Sequence, residues 1–220
     1  MTARDWERWA AACGVIFVVL ILVTQFGFAR PPSGGQALVD FYHQHRDAIR
    51  WREFLSGLAL VFLLPFVAAL RSALRREEDE SSWASAAAFA GAVITAAVAL
   101  TEAVLIESLA FQPPSDPRLA LAVQNIVDVT GRFLSLPLAV FVGTPSFVIF
   151  KSHVLPTWVG WLGVLAAALN LLSSIRIAAD LTGQLGNLAL LAFAIWIAVV
   201  SVLLGRQKAA GQTVSAGALP

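Results

Sequence analysis

Six apolar runs, each long enough to cross a bilayer, constrain this chain more than any other feature. A spanning helix needs about 20 mostly apolar residues because the hydrocarbon core is about 30 Å thick. The runs cover residues 10–29, 51–70, 83–111, 119–150, 157–177 and 185–204. A flexible tail is expected over 205–220. Because 58% of the residues are hydrophobic and only 13% are charged, a soluble domain could not bury this much apolar surface. The sequence therefore predicts one all-α domain over 1–220, an integral membrane bundle of about six transmembrane helices.

The fourth run is too long for a simple crossing. Pro137 and Pro145 both fall inside it. A proline removes one backbone hydrogen bond and clashes with the preceding turn. These two residues predict that the fourth helix is kinked or ended early.

A mixed apolar and charged segment lies between the first two runs. Leu38, Phe41 and Tyr42 are interleaved there with polar residues such as Asp40 and His43. This pattern is typical of a short amphipathic helix that lies on the membrane surface. Such an interfacial helix would cap the outer mouth of the bundle, and a solvated connecting helix is the alternative.

Basic residues predict the orientation. Six spans place both termini on one side, and the short loop after the second span carries Arg71, Arg75 and Arg76 on that same side. The positive-inside rule then predicts a cell-membrane protein with cytoplasmic termini. The net charge of +1 gives no basic field for nucleic acid, so the expected partner is the lipid bilayer itself.

The fourth run carries a polar stripe. At 100° per residue its polar side chains all fall on one face about 100° wide. They are Gln124, Asn125, Asp128, Arg132 and Ser135. Asp128 and Arg132 are four residues apart with the acid first, which favours an intrahelical ion pair, functional or structural.

The third run contributes two carboxylates. Glu102 lies about nine residues before Phe111, so roughly 13 Å from the outer end of its span at 1.5 Å per residue. Asp128 lies at a matching depth on the next, antiparallel helix. Glu107 is nearer the interface and about 140° around the helix from Glu102. Ionised side chains in a membrane are costly and mark functional sites by default, so Glu102 and Asp128 are the candidate catalytic residues.

The other spans are also polar only towards their outer ends. The outer residues concerned are Thr24, Gln25, Arg52, Glu53, Ser56, Asn170, Ser173, Ser174, Arg176, Gln184 and Asn187. The inner halves are almost entirely aliphatic or aromatic. The sequence therefore predicts a polar pocket in the outer half of the membrane. Substrate-binding or supporting roles around it are expected for Arg132, Asn125, Gln124, Glu107, Asn170 and Ser174. For the amide and hydroxyl side chains, bridging between helices is the alternative role.

Motifs for cofactors and metals are missing from the sequence. There is no Gly-rich phosphate loop, no His-Glu-x-x-His, no Gly-x-Ser-x-Gly and no pair of axial histidines inside the spans. Each of these arrangements serves a specific chemistry. The sequence predicts neither a metal site nor a cofactor.

Two functions fit this pattern. The first is a membrane-embedded enzyme acting on a lipophilic isoprenoid or lipid-like substrate, with Glu102 donating a proton and Asp128, held by Arg132, accepting one. A proton-initiated terpene cyclase, or an isomerase or lyase of that type, fits because Trp and Phe walls stabilise a carbocation. The alternative is a non-enzymatic small-molecule or lipid binding or transport protein, or a membrane partner subunit. A six-span chain without an internal repeat is short for a stand-alone transporter, and a homodimer would answer that objection.

One segment resembles a known family. It begins with Phe141-x-Gly143 and continues with Phe150-Lys151-Ser152-x-x-Leu155-Pro156-x-Trp158-x-Gly160-Trp161-Leu162-Gly163. This segment is similar to one in the bacterial membrane proteins grouped as domain of unknown function 4386. The resemblance implies a bundle of five to seven spans and no established reaction.

Overall fold

The described residues of the chain form eight helices. The computed structural model describes residues 3–76, 83–152, 155–175 and 184–216. The helices are α1 (Ala3–Phe26), α2 (Gly35–Gln44), α3 (Arg46–Arg75), α4 (Trp83–Phe111), α5 (Pro117–Phe133), α6 (Ser135–Ser152), α7 (Thr157–Ser174) and α8 (Gln184–Ala216). Six stretches are long and apolar enough to cross a membrane, and α5 with α6 together form the fourth of them. The predicted all-α bundle of six spans is confirmed.

The six long stretches form a closed ring. In spatial order the ring runs α1, α3, α4, α6, α7 and α8, and α8 returns to pack against α1. Successive spans are therefore neighbours, as short connections require. The ring surrounds a common interior to which each of these helices can contribute side chains.

Large apolar side chains fill the ring towards the end that holds the N-terminus. Phe66, Phe141 and Trp196 are fully buried there, and Phe141 makes edge contacts to Trp196 and Phe193. At Gly91 the helices α4 and α6 touch backbone to backbone, since a Cβ atom there would lie 2.8 Å from the amide nitrogen of Phe141. Such close crossings at small residues stabilise membrane bundles by packing.

The fourth span is divided near Pro137, as its length predicted. Helix α5 ends at Phe133 and α6 begins at Ser135, with Leu134 between them. Pro137 has no N–H to donate to the carbonyl of Phe133, so the hydrogen-bond ladder breaks at that turn. Pro145, by contrast, lies inside α6 without interrupting it. Of the two prolines, only Pro137 coincides with the break.

Two short helices cover the other end of the ring. Helix α2 is the predicted short helix after the first span, and it packs against α5. Its residues Leu38, Val39 and Tyr42 are buried in a second apolar core together with residues near the end of α4 and on α5. The N-terminus of helix α5 is defined by two residues. The Asp116 side chain is the N-cap and accepts a hydrogen bond from the amide of Arg118, and Pro117 occupies the first turn. This covered end of the bundle is the one in which the sequence concentrates polar residues.

The helix ends differ from the predicted spans at several places. Helix α3 runs from Arg46 to Arg75, whereas the second apolar run was expected to cover only residues 51–70. Helix α8 continues to Ala216 and so includes most of the predicted tail. Residue Arg176 of the predicted polar set lies outside the described residues.

Candidate functional site

A cavity lies inside the ring at its polar end. It has two adjoining lobes of about 100 Å³ and 190 Å³. We call them the α3 lobe and the α7 lobe, after the helices that distinguish them. The lobes share five lining residues: Gln25, Glu102, Leu134, Leu138 and Leu190. Together they form the central cavity, which lies in the half of the bundle where the sequence predicts a polar pocket.

Glu102 occupies the boundary between the two lobes. Its carboxylate packs against the backbone of α5 at Gly131, where an added Cβ atom would lie 3.0 Å from Oε1. Any larger residue at 131 would have to displace the carboxylate. Within the described part of the chain, no hydrogen bond or ion pair holds the Glu102 side chain. The Glu102 carboxyl group therefore lines both lobes without a fixed partner among the described residues.

A second carboxylate lines the α3 lobe. The side chain of Glu53 is 7% exposed, and its Oε1 lies 2.8 Å from Nε of Arg52 in an ion pair. The neighbouring lining residues Gln25 and Ser56 are also polar. A buried carboxylate is stable only when it is paired, and Arg52 supplies that partner for Glu53. Glu102 and Glu53 thus differ in their partners although both line the same lobe.

The α7 lobe is lined by neutral polar groups. Asn170 is 2% exposed, and its Nδ2 donates to the carbonyls of Ala166 at 2.9 Å and Ala189 at 3.5 Å. It therefore joins α7 to α8. Ser135 and Ser173 are buried in the same wall. Asn170 carries out the helix-bridging role and also faces the cavity.

The predicted catalytic residue Asp128 lies outside both lobes. Its Oδ1 accepts a hydrogen bond of 2.9 Å from Gln124, whose Oε1 accepts one of 2.9 Å from the hydroxyl of Tyr42. Burial raises the pKa of Tyr42 to about 12, so the phenol stays protonated and acts as the donor. This chain of hydrogen bonds ties α2 to α5 at the covered end. The polar stripe of α5 thus holds two helices together.

The remaining predicted residues are dispersed. Asn125 is exposed on α5. Arg132 is partly buried there, and its pairing with Asp128 stays a prediction. Ser174 donates to the carbonyl of Leu171 in its own helix at 2.6 Å. Oε1 of Glu107 lies 3.1 Å from Nε of Arg50, and the two side chains form an ion pair on the outside of the ring. Among the predicted site residues, the central cavity brings together Glu102 and Asn170.

A lateral groove opens on the outer face of the ring between α3 and α4. Its volume is about 1010 Å³, and its walls are mostly apolar, including Trp51, Phe54 and Val104. Glu53 and Ala103 line this lateral groove as well as the α3 lobe. Glu53 and Ala103 therefore lie between the two spaces.

Sequence reasoning placed Arg52 and Glu53 at the outer start of the second span but not among the catalytic candidates. Both residues lie near the end of an apolar run, where charged side chains ordinarily reach the headgroups. Arg52 and Glu53 differ from such interfacial residues because helix α3 extends well beyond the apolar run at this end. Because α3 begins at Arg46, Glu53 lies more than one turn inside the helix.

This fold and cavity define a multi-pass α-helical membrane protein with a buried carboxylate site. The chain belongs to the family described as Domain of unknown function (DUF4386), whose family model matches residues 12–205. The matched range contains the whole central cavity and all but the outermost residues of the first and sixth spans, so the resemblance seen in the sequence is confirmed. No curated protein and no solved structure matches the chain. Within the described residues, no group of three or more His, Cys, Asp or Glu side chains is arranged to hold a metal ion.

Proposed function

We propose that this protein is a membrane-embedded enzyme that acts on a lipophilic substrate by carboxylate acid–base chemistry. The observation that carries the proposal is the position of Glu102, a carboxyl group without a fixed partner at the junction of two cavity lobes inside a membrane bundle. Glu102 delivers or removes the proton. Glu53, held by Arg52, supplies the fixed negative charge. Two carboxylates with different partners are the usual basis of an acid–base pair.

Glu53 replaces Asp128 as the second carboxylate in this proposal. Glu53 lines the same lobe as Glu102, whereas Asp128 lines neither lobe and accepts a hydrogen bond from Gln124. A catalytic base must come within hydrogen-bond reach of the substrate atom that it serves. A ligand in the α3 lobe meets that condition for Glu53.

The wall of the α3 lobe favours a hydrocarbon substrate. Phe17 and Phe193 meet edge to face with ring centroids 6.1 Å apart, and both line the lobe together with Leu and Ile side chains. Aromatic rings stabilise a nearby cation through their π-faces. A proton delivered to an alkene or epoxide would create such a cation, which supports cyclase or isomerase chemistry on an isoprenoid-like chain.

The lateral groove supports a substrate that arrives from the lipid. A lipophilic molecule is concentrated in the bilayer, and the groove leads from the lipid-facing side of α3 and α4 to Glu53. The ion pair between Arg50 and Glu107 lies along this groove. Such an arrangement passes an apolar chain while its polar end remains near the interface.

A second candidate function is binding or transport of a lipophilic small molecule without chemistry. The observation that favours it is that Glu53 and Ala103 line both the lateral groove and the central cavity. A passage from lipid to a polar site is equally what a carrier needs, and intramembrane carboxylates also couple protons. The two functions differ in whether a chemically altered product appears.

The groove can be narrowed without disturbing the fold. A Cβ atom at Gly57 would meet nothing within 4 Å, so Gly57→Phe extends into the groove, and glycine removal from a helix interior is itself stabilising. We expect product formation at limiting substrate to fall by about tenfold or more, because even a methylene-sized loss of contact is worth 1–3 kcal/mol. The measurement compares product levels of cells that make wild type, Gly57→Phe or Gly57→Ala. Gly57→Ala is the matched control, and equal losses in both variants would exclude the groove as the route.

We further propose that the protein resides in the cell membrane with cytoplasmic termini. Cysteines introduced at Ser81 and Ser115, after replacement of the buried Cys13 by alanine, are expected to react with an impermeant maleimide from opposite sides. Ser81 lies outside the described residues, whereas Ser115 is exposed at the covered end of the bundle. External labelling of Ser115 alone in intact cells supports this orientation. Labelling of both positions from one side would contradict the six-span topology.

A further inference from the structure

A second polar cavity lies at the opposite end of the bundle from Glu102. It has a volume of about 550 Å³ and lies between the last turns of α3 and the beginning of α4. The described residues that line it are Ala68, Arg71, Ser72, Arg75, Arg76 and Phe89. We call it the arginine cavity. Among the residues that the structure describes, it shares none with the lining of the central cavity or the lateral groove.

Arg71 is held in place within the arginine cavity. Its guanidinium carbon lies 4.8 Å from the centroid of the Phe89 ring, an arrangement that fixes the planar group over the aromatic face. The Nε atom is buried, and no described residue accepts a hydrogen bond from it. Arg75 follows one helical turn later, so its side chain lies on the same face of α3. The cavity therefore combines an oriented donor with a second positive charge.

The arginine cavity lies at the level where lipid headgroups are found. The second candidate span ends at Arg75 and the third begins at Trp83. At the same end of the bundle, Trp83 packs against Phe147 with ring centroids 5.6 Å apart, and Nζ of Lys151 lies 4.7 Å from the Phe147 centroid. Tryptophan and lysine side chains are characteristic of the membrane–water interface.

We propose that the arginine cavity binds the phosphate group of an anionic phospholipid from the surrounding leaflet. Guanidinium groups match phosphate oxygens with paired N–H donors, and the Ser72 hydroxyl lines the same space. Basic pockets between membrane helices bind anionic headgroups in this way. Ala68 and Phe89 add an apolar wall beside the phosphate position, which suits the start of an acyl chain.

The acidic run Glu77-Glu78-Asp79-Glu80 directly follows these arginines in the sequence and lies outside the described residues. A carboxylate from this run brings no apolar part to the wall formed by Ala68 and Phe89, whereas a phospholipid does. The lipid is therefore the better match to the cavity as a whole.

Thermal melting of the full chain in mixed micelles tests the proposal. Phosphatidylglycerol is titrated against phosphatidylcholine micelles, with inorganic phosphate as a separate arm. We expect phosphatidylglycerol alone to raise the Tm. In Arg71→Gln/Arg75→Gln the half-saturating concentration should rise about thirtyfold, given the contribution of each basic residue near a lipid surface. The matched control Arg118→Gln, an exposed arginine at the opposite end, should titrate like wild type.

Three outcomes would overturn the assignment. An equal Tm rise with inorganic phosphate would show a free-anion site in place of a lipid site. An unchanged titration in Arg71→Lys would show that charge alone acts, without the oriented guanidinium. Binding that appears only after the run 77–80 is neutralised, as Glu77→Gln/Glu78→Gln/Asp79→Asn/Glu80→Gln, would show that the chain's own carboxylates occupy the cavity. None of these results bears on the acid–base function of Glu102, so the two proposals stand or fall separately.

Discussion

Glu102→Gln is expected to lower product formation by roughly 10²-fold or more, the loss typical of a missing general acid or base. The variant protein should fold and insert normally. The amide has the size of the carboxyl group, so it still fits against Gly131 and between the two lobes. It lacks a transferable proton. The readout is an untargeted comparison of lipid-soluble metabolites in cells that make wild type, the variant or no protein. A product present only with wild type establishes an enzyme even before its substrate is identified.

Matched variants show whether a loss of product is specific to the Glu102 carboxyl group. Thr101→Val changes the exposed neighbour of Glu102, whose hydroxyl only bonds its own helix at Ala97, and should keep full activity. Asp128→Asn and Glu53→Gln ask which second carboxylate matters, since the sequence favours the first and the cavity favours the second. Loss of activity in Asp128→Asn but not in Glu53→Gln would reverse our assignment. Identical metabolites in wild-type and empty cells would favour the binding or transport function.

The span pattern was predictable because it follows from chain composition alone. An apolar run of about 20 residues has few stable alternatives to a spanning helix, and the division at Pro137 follows from a missing N–H. The extension of α3 back to Arg46 was not predictable, since the residues from Arg46 to Glu53 are as polar as a surface loop. They are helical because Ile49 is buried in the second apolar core.

The candidate site was only partly predictable for a similar reason. Depth along a helix can be counted from the sequence, and this count placed Glu102 inside the polar half. The direction in which Glu102 points around the helix axis cannot be predicted from the sequence of α4, because this helix is apolar around most of its circumference. The residues that contact Glu102 were therefore not predictable. The polar stripe that contains Asp128 could be predicted from the sequence of α5. The sequence did not indicate that Gln124 would donate a hydrogen bond to Asp128 and accept one from Tyr42. The lateral groove depends on the space in front of Gly57, which no sequence pattern reports.

The second large effect is expected at the ion pair of the α3 lobe. Arg52→Gln leaves the Glu53 carboxylate, whose side chain is 7% exposed, without its partner. Removing one member of a buried pair typically costs about 3–5 kcal/mol in soluble proteins. We expect a loss of stability approaching this range, measured as a lower free energy of unfolding in a dodecyl sulfate titration of protein in mixed micelles. The cost should be smaller if water reaches the pair through the cavity.

The double variant Arg52→Gln/Glu53→Gln distinguishes a pair from two independent residues. Without either charge, the cavity holds two neutral amides that can bond to each other, so the double variant should be more stable than Arg52→Gln alone. The coupling free energy of such a cycle reports the contact directly. Arg50→Gln with Glu107→Gln provides the comparison cycle, since that ion pair is 46% and 36% exposed and should contribute under about 1 kcal/mol. Strictly additive losses at Arg52 and Glu53 would mean that Arg52 does not hold the carboxylate, and the fixed charge assigned to Glu53 in the acid–base pair would then lack its physical basis.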